Sequence, residues 1–311
     1  MKKRIFSACL ALCLAVVCAL GFSGCEFIEL PGTSSKPQQT ASLSLGDLQV
    51  YYLDVGQGDS ELLFLPDGTT ILIDSGDRSC IDYVADALRD YGVKDIDILI
   101  ATHPHADHIG CMATVVRNFD IGTIYMPKVA EDLTPTTVAY EKLLESIQKK
   151  GLQIRTGKAG VVAYETDDIR LEFLAPSGKQ YDDLNNYSIV AKLTYQDTSF
   201  LFMGDAEQQS LSELSKSGSD LRCDVLKLGH HGSSNAITKQ FIKKVQPAYG
   251  IISCGANNEY GHPHRETLKL LKDFDVTTYR TDKDGTILAV SDGKTIEFTT
   301  GLPSVLPRNA A

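Results

Sequence analysis

Histidine occurs in this sequence only in three short clusters, and each cluster directly follows a segment with the apolar pattern of a strand. The clusters are His103, His105 and His108, then His230 and His231, then His262 and His264. Residues 102–108 read Thr-His-Pro-His-Ala-Asp-His, which places three imidazoles and the carboxylate of Asp107 close together. This set of ligand types suits zinc, manganese or iron. The sequence predicts a metal site, and surface histidines that bind nothing are the weaker alternative.

Strand-like segments alternate with amphipathic helices along the chain. Strands are predicted at 50–55, 61–65, 70–73, 96–101, 188–195, 199–203, 225–228 and 248–254, and helices at 81–92, 134–149, 207–215, 237–244 and 266–274. The candidate ligands follow strands, as expected for a metal site along one edge of a β-sandwich. Strand-rich halves with external helices indicate an α/β fold, a four-layer αββα sandwich.

The first 25 residues have the pattern of an export signal. Lys2, Lys3 and Arg4 precede an apolar stretch, and small residues then lead to Cys25. This arrangement resembles a bacterial lipobox, in which Cys25 becomes the lipid-bearing first residue and holds the protein on the membrane, facing the extracellular or periplasmic side. An ordinary secreted protein or an uncleaved anchor are the alternatives. Residues 26–46 read as a flexible tether, 47–301 as one large domain and 302–311 as a loose tail.

Charge argues against one class of partner. Export would remove three positive charges and no negative ones, so the formal net charge would change from −10 to −13. Non-specific duplex binding rests on clustered Lys and Arg, which this balance does not favour. A local basic patch remains an alternative, formed by Lys227, Lys239, Lys243 and Lys244. We favour the interpretation that these lysines lie on a solvated helix face. The sequence gives no evidence for a protein partner.

Four cysteines besides Cys25 would remain after export: Cys80, Cys111, Cys223 and Cys254. They permit two disulfides in three pairings. Cys223 and Cys254 fall in strand-like segments, which favours small core residues over bridge partners or ligands.

The motif H-x-H-x-D-H after an apolar strand, with Asp74 before it and Asp205 after it, resembles the metallo-β-lactamase fold superfamily. Finer motifs are similar to the hydrolase domain of ComEC-type DNA-uptake competence proteins, in a stand-alone lipoprotein form. They are Tyr-Leu-Asp-Val-Gly-Gln-Gly-Asp-Ser at 52–60, Asn-Asn at 185–186, Gly-His-His-Gly-Ser at 229–233 and His-Pro-His at 262–264. Phosphorylcholine esterases of bacterial surfaces share this pattern.

The resemblance implies two divalent metal ions, zinc or manganese. His103 and His105 would hold one ion, Asp107 and His108 the other, and Asp205 would bridge them. The ligand sets would be completed by His230 or His231 and by His262 or His264, and we assign His230 and His264 to the metals. Asp74, Asn186 and His262 would orient ligands or face substrate. Many superfamily members have a further histidine between the first cluster and the bridging aspartate, and this chain has none from 109 to 229.

Two ions can lower the pKa of a shared water and clamp both oxygens of an in-line displacement. We therefore expect a metal-bound hydroxide as nucleophile, with Asp107 and His231 in catalytic roles. The expected activity is phosphodiester hydrolysis, by a phosphodiesterase or nuclease acting on extracellular nucleic acid, including DNA, or on a phosphorylated envelope polymer. Amide or lactone hydrolysis of the β-lactam type is one alternative. A non-catalytic, DNA-capturing lipoprotein of competence is the other.

Overall fold

Two mixed β-sheets lie face to face in the computed structural model, which describes residues 46–178 and 180–306. The strands of the first sheet are β1 (Leu48–Tyr52), β2 (Glu61–Phe64), β3 (Thr70–Ile73), β4 (Ile96–Ile100), β5 (Ile121–Met126), β6 (Ile154–Thr156), β14 (Thr286–Ser291) and β15 (Ile296–Leu302). Those of the second are β7 (Val162–Glu165), β8 (Ile169–Ala175), β9 (Val190–Tyr195), β10 (Thr198–Phe202), β11 (Val225–Lys227), β12 (Tyr249–Ile252) and β13 (Thr277–Arg280).

Each sheet contains a parallel half. The first sheet has the order β15-β14-β1-β2-β3-β4-β5-β6, and the second has the order β13-β12-β11-β10-β9-β8-β7. Strands β3 to β6 pair in parallel in the first sheet, and β10 to β13 do so in the second. Parallel strands require crossover connections, which the helices supply.

Helices cover the outer faces of both sheets. They are α1 (Val84–Asp90), α2 (Ala106–Ile109), α3 (Met112–Asn118), α4 (Val138–Lys149), α5 (Gln208–Lys216), α6 (Lys239–Val245), α7 (Arg265–Asp273) and α8 (Thr281–Asp284). Helix α4 begins four residues later than the sequence predicts. The reason is Thr137, whose side chain accepts the N–H of Tyr140 and so caps the helix.

Three apolar clusters separate the four layers. Side chains alternate along the strands, so Ile71 and Ile73 of β3 lie between the two sheets, whereas Leu72 faces α1, α3 and α4. On the other side, Leu226 of β11 packs with residues of α5, α6 and α7 such as Phe241. The predicted four-layer αββα sandwich is confirmed.

Some predictions concern residues at the ends of the chain. The predicted export signal, Cys25 and nearly all of the predicted tether lie outside the described residues. The described part of the predicted loose tail packs on the domain: Val305 is buried, and its N–H donates to the carbonyl of Asp54 at 2.9 Å. None of the helices in the described ranges is long and apolar enough to span a membrane.

The cysteines of the described residues are buried and carry free thiols. Cys223 and Cys254 both lie in the apolar cluster between the second sheet and its helices. This placement agrees with the expectation that they are small core residues.

Candidate metal centre

Loops that follow the carboxyl ends of parallel strands supply the candidate ligands. Asp74 follows β3 and His103 follows β4 in the first sheet, while Asp205 follows β10, His231 follows β11 and His262 follows β12 in the second. The site therefore lies at the carboxyl ends of these strands, where loops from the two sheets meet. Rigid strands fix the spacing of its side chains.

The loop after β4 and the short helix α2 present four candidate ligands. His103 is fully buried, and its Nε2 lies 2.9 Å from Nδ1 of His105. The carbonyl of His105 accepts the N–H groups of His108 and Ile109, at 3.1 and 3.0 Å, and so starts α2. Asp107 and His108 consequently stand on the first turn of α2, next to the two preceding histidines.

Asp74 orients His108 from behind. Its Oδ2 lies 2.7 Å from Nδ1 of His108, and Thr102 donates to the same carboxylate through its N–H at 2.8 Å and its hydroxyl at 2.6 Å. With Nδ1 held in this way, Nε2 of His108 is directed into the site. The predicted role of Asp74 as an orienting group agrees with this geometry.

Asp205 stands at the centre of the cluster. Its N–H donates to the hydroxyl of Ser188 at 3.0 Å, which fixes the turn after β10. One carboxylate oxygen, Oδ1, lies 3.2 Å from Nε2 of His108. The other, Oδ2, lies 3.7 Å from Nε2 of His103 and 3.8 Å from Nε2 of His231. The predicted bridging residue therefore faces imidazoles from both sheets.

His230 and His231 occupy different places. Both have left-handed backbone conformations, with φ of 46° and 52°, so they form a turn after β11. His231 is buried, with Nε2 3.1 Å from Oδ2 of Asp107. His230 is partly exposed, and its Nδ1 lies 2.6 Å from Oε1 of Glu207. His231 belongs to a group of possible ligand atoms among the described residues and His230 does not, whereas the sequence assigned His230 to the metals.

Two groups of possible ligand atoms share Asp205. The four-residue group consists of Asp107, His108, Asp205 and His231, and the three-residue group consists of His103, His105 and Asp205. Within each group, one atom from every residue lies within 4.8 Å of the others. Five of the seven predicted metal ligands belong to these two groups. His230 lies at their edge, with its Nε2 3.9 Å from Oδ2 of Asp205, and His264 lies outside them.

His262 and His264 point to different surroundings. His262 is buried, and its ring centroid lies 5.3 Å from that of His230 and 6.0 Å from that of His231. His264 belongs to neither ligand group in the described chain. Its Nδ1 lies 3.0 Å from the backbone N–H of Ser234, and its Nε2 lies 3.3 Å from the carbonyl of Tyr260. The predicted metal role of His264 stays a prediction that this geometry does not favour.

Asn185 and Asn186, like the two histidines, have different surroundings. Asn186 accepts the N–H of Ser210 at 3.1 Å and so supports the first turn of α5. Asn185 donates to Oε1 of Glu207 at 3.3 Å, the same oxygen that binds His230. Asn185 is therefore the one that reaches the site. The hydrogen bond to Glu207 opposes the effect of burial and raises the pKa of His230.

A buried charged cluster behind His231 was missed at the level of sequence. Lys227 is 1% exposed and donates to Oδ2 of Asp59 at 2.6 Å, and its Nζ lies 3.7 Å from Glu61. The other oxygen of Asp59 lies 3.1 Å from Nδ1 of His231, which is also 3.1 Å from the carbonyl of Ser253. Lys227 is thus not part of a solvated basic face. A lysine inside an apolar strand was the available signal.

The buried histidines and carboxylates of the site have strongly shifted pKa values. Burial lowers the pKa of His103 well below its usual range, and His108 acts in the same direction. Burial also disfavours the charged form of His231, but Asp205 and Asp59 outweigh it and raise that pKa to about 10. The pKa of Asp205 is well below its usual range because His108 and His231 outweigh the effect of burial. Asp205 is therefore held as a carboxylate.

The residues present fit a bound cation. Nε2 of His108 and Oδ1 of Asp205 are both buried without a hydrogen-bond partner, although they face each other. Buried polar atoms are rarely left in this state. Imidazole nitrogens and carboxylate oxygens that converge on one point are the donor set of zinc, manganese and iron sites. A divalent cation between these atoms would satisfy both.

Curated relatives with similar sequences are competence proteins. ComE operon protein 3 of Bacillus subtilis (strain 168) is 31% identical over 260 residues, which are 77% of this chain and 32% of the relative. Competence protein ComA of Neisseria gonorrhoeae is 26% identical over 286 residues, 91% of this chain and 38% of the relative. The chain spans about a third of the length of these relatives. The resemblance to ComEC-type proteins is confirmed.

Among solved structures, the fold resembles Igni18, described as a novel metallo hydrolase from the archaeon Ignicoccus hospitalis KIN4/I. The TM-score is 0.50 at 16% identity, over 77% of this chain and 98% of that one, so this likeness concerns the fold alone. The sequence pattern of the metallo-beta-lactamase superfamily matches residues 53–256. This range contains all residues of both ligand groups. The chain belongs to the metallo-beta-lactamase superfamily and has its metal-dependent hydrolase fold.

Proposed function

We propose that the protein is a phosphodiesterase that uses two divalent ions, zinc or manganese, to cleave extracellular nucleic acid or a phosphorylated envelope polymer. The observation that carries this proposal is the pair of ligand groups joined by Asp205. Asp205 would contribute a carboxylate oxygen to each ion, and two-metal phosphoester hydrolysis needs two ions held close together. The relatives named as competence proteins support nucleic acid as the substrate.

When bound, divalent ions supply Lewis acidity, which lowers the pKa of water and offsets charge on the phosphoryl oxygens. The protein's own residues supply position. The side chain of Asp107 is 32% exposed, while Asp205 is buried. Asp107 is therefore placed to orient the attacking water or hydroxide.

The leaving group also needs a proton. His230 has 26% of its side chain exposed, and Glu207 holds its Nδ1 at 2.6 Å. This contact leaves Nε2 of His230 directed towards Asp205, at 3.9 Å. The pair His230–Glu207 is suited to protonate the leaving oxygen from Nε2, whereas the sequence assigned a catalytic role to His231.

Hydrolysis of bis-p-nitrophenyl phosphate by the purified full chain tests the proposal. We expect turnover with Mn²⁺ or Zn²⁺, and a loss of at least about 100-fold for His105→Ala, more than an outer residue that only orients a ligand would cause. Lys149→Ala, an exposed change on α4, is the control for handling and folding. Full turnover by His105→Ala would contradict the metal mechanism.

The same preparation separates the alternatives. A chromogenic β-lactam hydrolysed in place of the diester would favour amide or lactone chemistry. Retention of DNA at physiological salt, without hydrolysis of any diester, would favour a capturing lipoprotein. Either result would overturn the phosphodiesterase.

The proposed location is the outer face of the cytoplasmic membrane, through lipid on Cys25. The similarity of the chain to competence proteins is consistent with a role at the cell envelope. Metabolic labelling with a palmitate analogue tests the anchor: the full chain should be labelled and Cys25→Ala should not. Equal labelling of the two chains would contradict lipidation at Cys25.

A further inference from the structure

An exposed tyrosine stands beside the candidate metal centre. Tyr260 lies in the loop between β12 and α7 and is 68% exposed, the largest value among the exposed large apolar side chains of the described residues. Exposing so much aromatic surface loses the free energy that its burial would give. A single exposed apolar residue is ordinary in itself, so its position decides whether it has a role.

The ring of Tyr260 is separated from the candidate metal centre by the side chain of His262. It stacks on His262, with ring centroids 5.6 Å apart and planes inclined by 19°. His262 in turn lies 5.3 Å from His230 and 6.0 Å from His231, between centroids. The outer face of Tyr260 is therefore open to solvent next to the place where a substrate phosphate would bind.

Hydrogen bonds hold this loop in place. The side chain of Asn258 donates to the carbonyls of Gly255 and His262, at 2.9 and 2.6 Å, and accepts the N–H of His262 at 2.9 Å. The carbonyl of Tyr260 lies 3.3 Å from Nε2 of His264. A ring held by its loop loses little conformational entropy when a ligand packs on it.

We propose that Tyr260 is a stacking platform for an unpaired nucleobase, which makes single-stranded nucleic acid the preferred substrate of this site. The proposal rests on the phosphodiesterase function above. A nucleotide carries its base one sugar away from its phosphate, so a phosphate at the metal centre brings a neighbouring base over this loop. Aromatic side chains bind bases of single strands by stacking, without regard to sequence.

Other aromatic-binding ligands fit less well. Bases of a duplex are already stacked on each other and are not free to pack on a tyrosine. A quaternary ammonium group is recognised by a cage of several aromatic rings. The ring contact of Tyr260 in the described chain is with His262, and the sequence contains no tryptophan. One flat open face suits a flat ligand.

Binding and hydrolysis of two matched probes test the proposal. One is a short fluorescein-labelled oligothymidylate, and the other has the same backbone with abasic units in place of the bases. Binding is measured by anisotropy with Ca²⁺, and hydrolysis with Mn²⁺. We expect Tyr260→Ala to weaken binding of the oligothymidylate by about 5- to 150-fold, with little change for the abasic probe. Tyr260→Phe should retain most of the affinity.

Tyr83→Ala is the matched control, because Tyr83 is an exposed tyrosine, at 42%, that precedes α1. It should bind both probes as the unchanged chain does. Equal loss of both probes in Tyr260→Ala would overturn the proposal, since Tyr260 would then act through the fold or the backbone. A loss confined to p-nitrophenyl phosphorylcholine would also overturn it, in favour of a cation.

The two proposals fail in different ways. If the unchanged chain hydrolyses bis-p-nitrophenyl phosphate but does not distinguish the two probes, the role of Tyr260 is overturned and the phosphodiesterase stands. If it binds the oligothymidylate in a manner that depends on Tyr260 but cleaves no diester, the platform is supported and the phosphodiesterase is overturned.

Discussion

The two ligand groups of the metal centre are built to different degrees. The four-residue group offers two imidazoles and two carboxylates, enough to surround a tetrahedral ion, while the three-residue group offers two imidazoles and the shared Asp205. The three-residue group is also where the chain lacks the further histidine that many superfamily members have. Three protein ligands with one open position is the arrangement of catalytic zinc sites. The comparison suggests one tightly held ion and one more exchangeable ion.

The hydrogen-bond partners of the histidines also differ between the two groups, and they too favour tighter binding by the four-residue group. In the four-residue group, Asp74 lies against Nδ1 of His108 at 2.7 Å and Asp59 lies 3.1 Å from Nδ1 of His231. In the three-residue group, Nδ1 of His103 has the hydroxyl of Thr102 at 3.2 Å. A carboxylate behind an imidazole makes it a more basic ligand than a hydroxyl does. We therefore expect the four-residue group to bind its ion more tightly.

The largest effect is expected from the residue that the groups share. Asp205→Asn keeps the shape of the side chain but removes the anionic bridge, so we expect binding of both ions to be lost. Unfolding with and without metal measures this: an ion at 100 times its Kd stabilises the native state by about 2.7 kcal/mol. The unchanged chain should gain this stability and Asp205→Asn should not. Two ions retained by Asp205→Asn would contradict a shared bridge.

A smaller effect, confined to one ion, is expected from His103→Ala. It removes one of the three donors of the three-residue group and leaves the four-residue group intact. Elemental analysis after gel filtration should find about half the metal of the unchanged chain, held with similar affinity. If His103→Ala loses all its metal, the two groups bind as one unit and the contrast between them is wrong.

The sequence alone brings the local part of this candidate centre together. The histidines at 103, 105 and 108 are near one another in the chain, so a strand followed by one helical turn is enough to gather them. The layers also follow from the apolar patterns of strands and helices. The positions of His230 and His231 did not follow from the sequence, because they depend on two left-handed residues and on a distant partner, Glu207.

Contacts between the sheets were beyond the reach of sequence patterns. Asp59 precedes β2 in the first sheet, and Lys227 ends β11 in the second. Their salt bridge joins residues separated by 168 positions. No spacing rule links such positions, and a lysine at the end of a strand is ordinarily exposed. An apolar segment around Lys227 was a signal of burial, but only the packing of one sheet on the other shows that this lysine lies behind a candidate ligand.

This cluster gives a graded test of the four-residue group. Asp59→Asn removes the charge behind His231, and we expect the affinity of that group for its ion to fall by about 10- to 100-fold. Glu61→Gln is the matched control: Glu61 lies 3.7 Å from Lys227, and burial raises its pKa well above the usual range, so an amide resembles its protonated form. Metal titration by calorimetry should show the loss in Asp59→Asn only. Equal affinities in the two variants would show that Asp59 serves the fold alone.

The smallest effect is expected from His264→Ala. We first assigned this residue to the metals, but in the structure its Nδ1 faces Ser234 and its Nε2 faces the carbonyl of Tyr260. It is 30 residues from Ser234 in sequence, so it ties two loops of the second sheet together. We expect His264→Ala to keep both ions and to lose about 1 kcal/mol of stability, the usual net value of a hydrogen bond. Metal content and urea unfolding measured on one preparation decide between the roles: a missing ion would return His264 to the ligands, and unchanged metal with a lower midpoint would leave the contrast between the two groups as the structure has it.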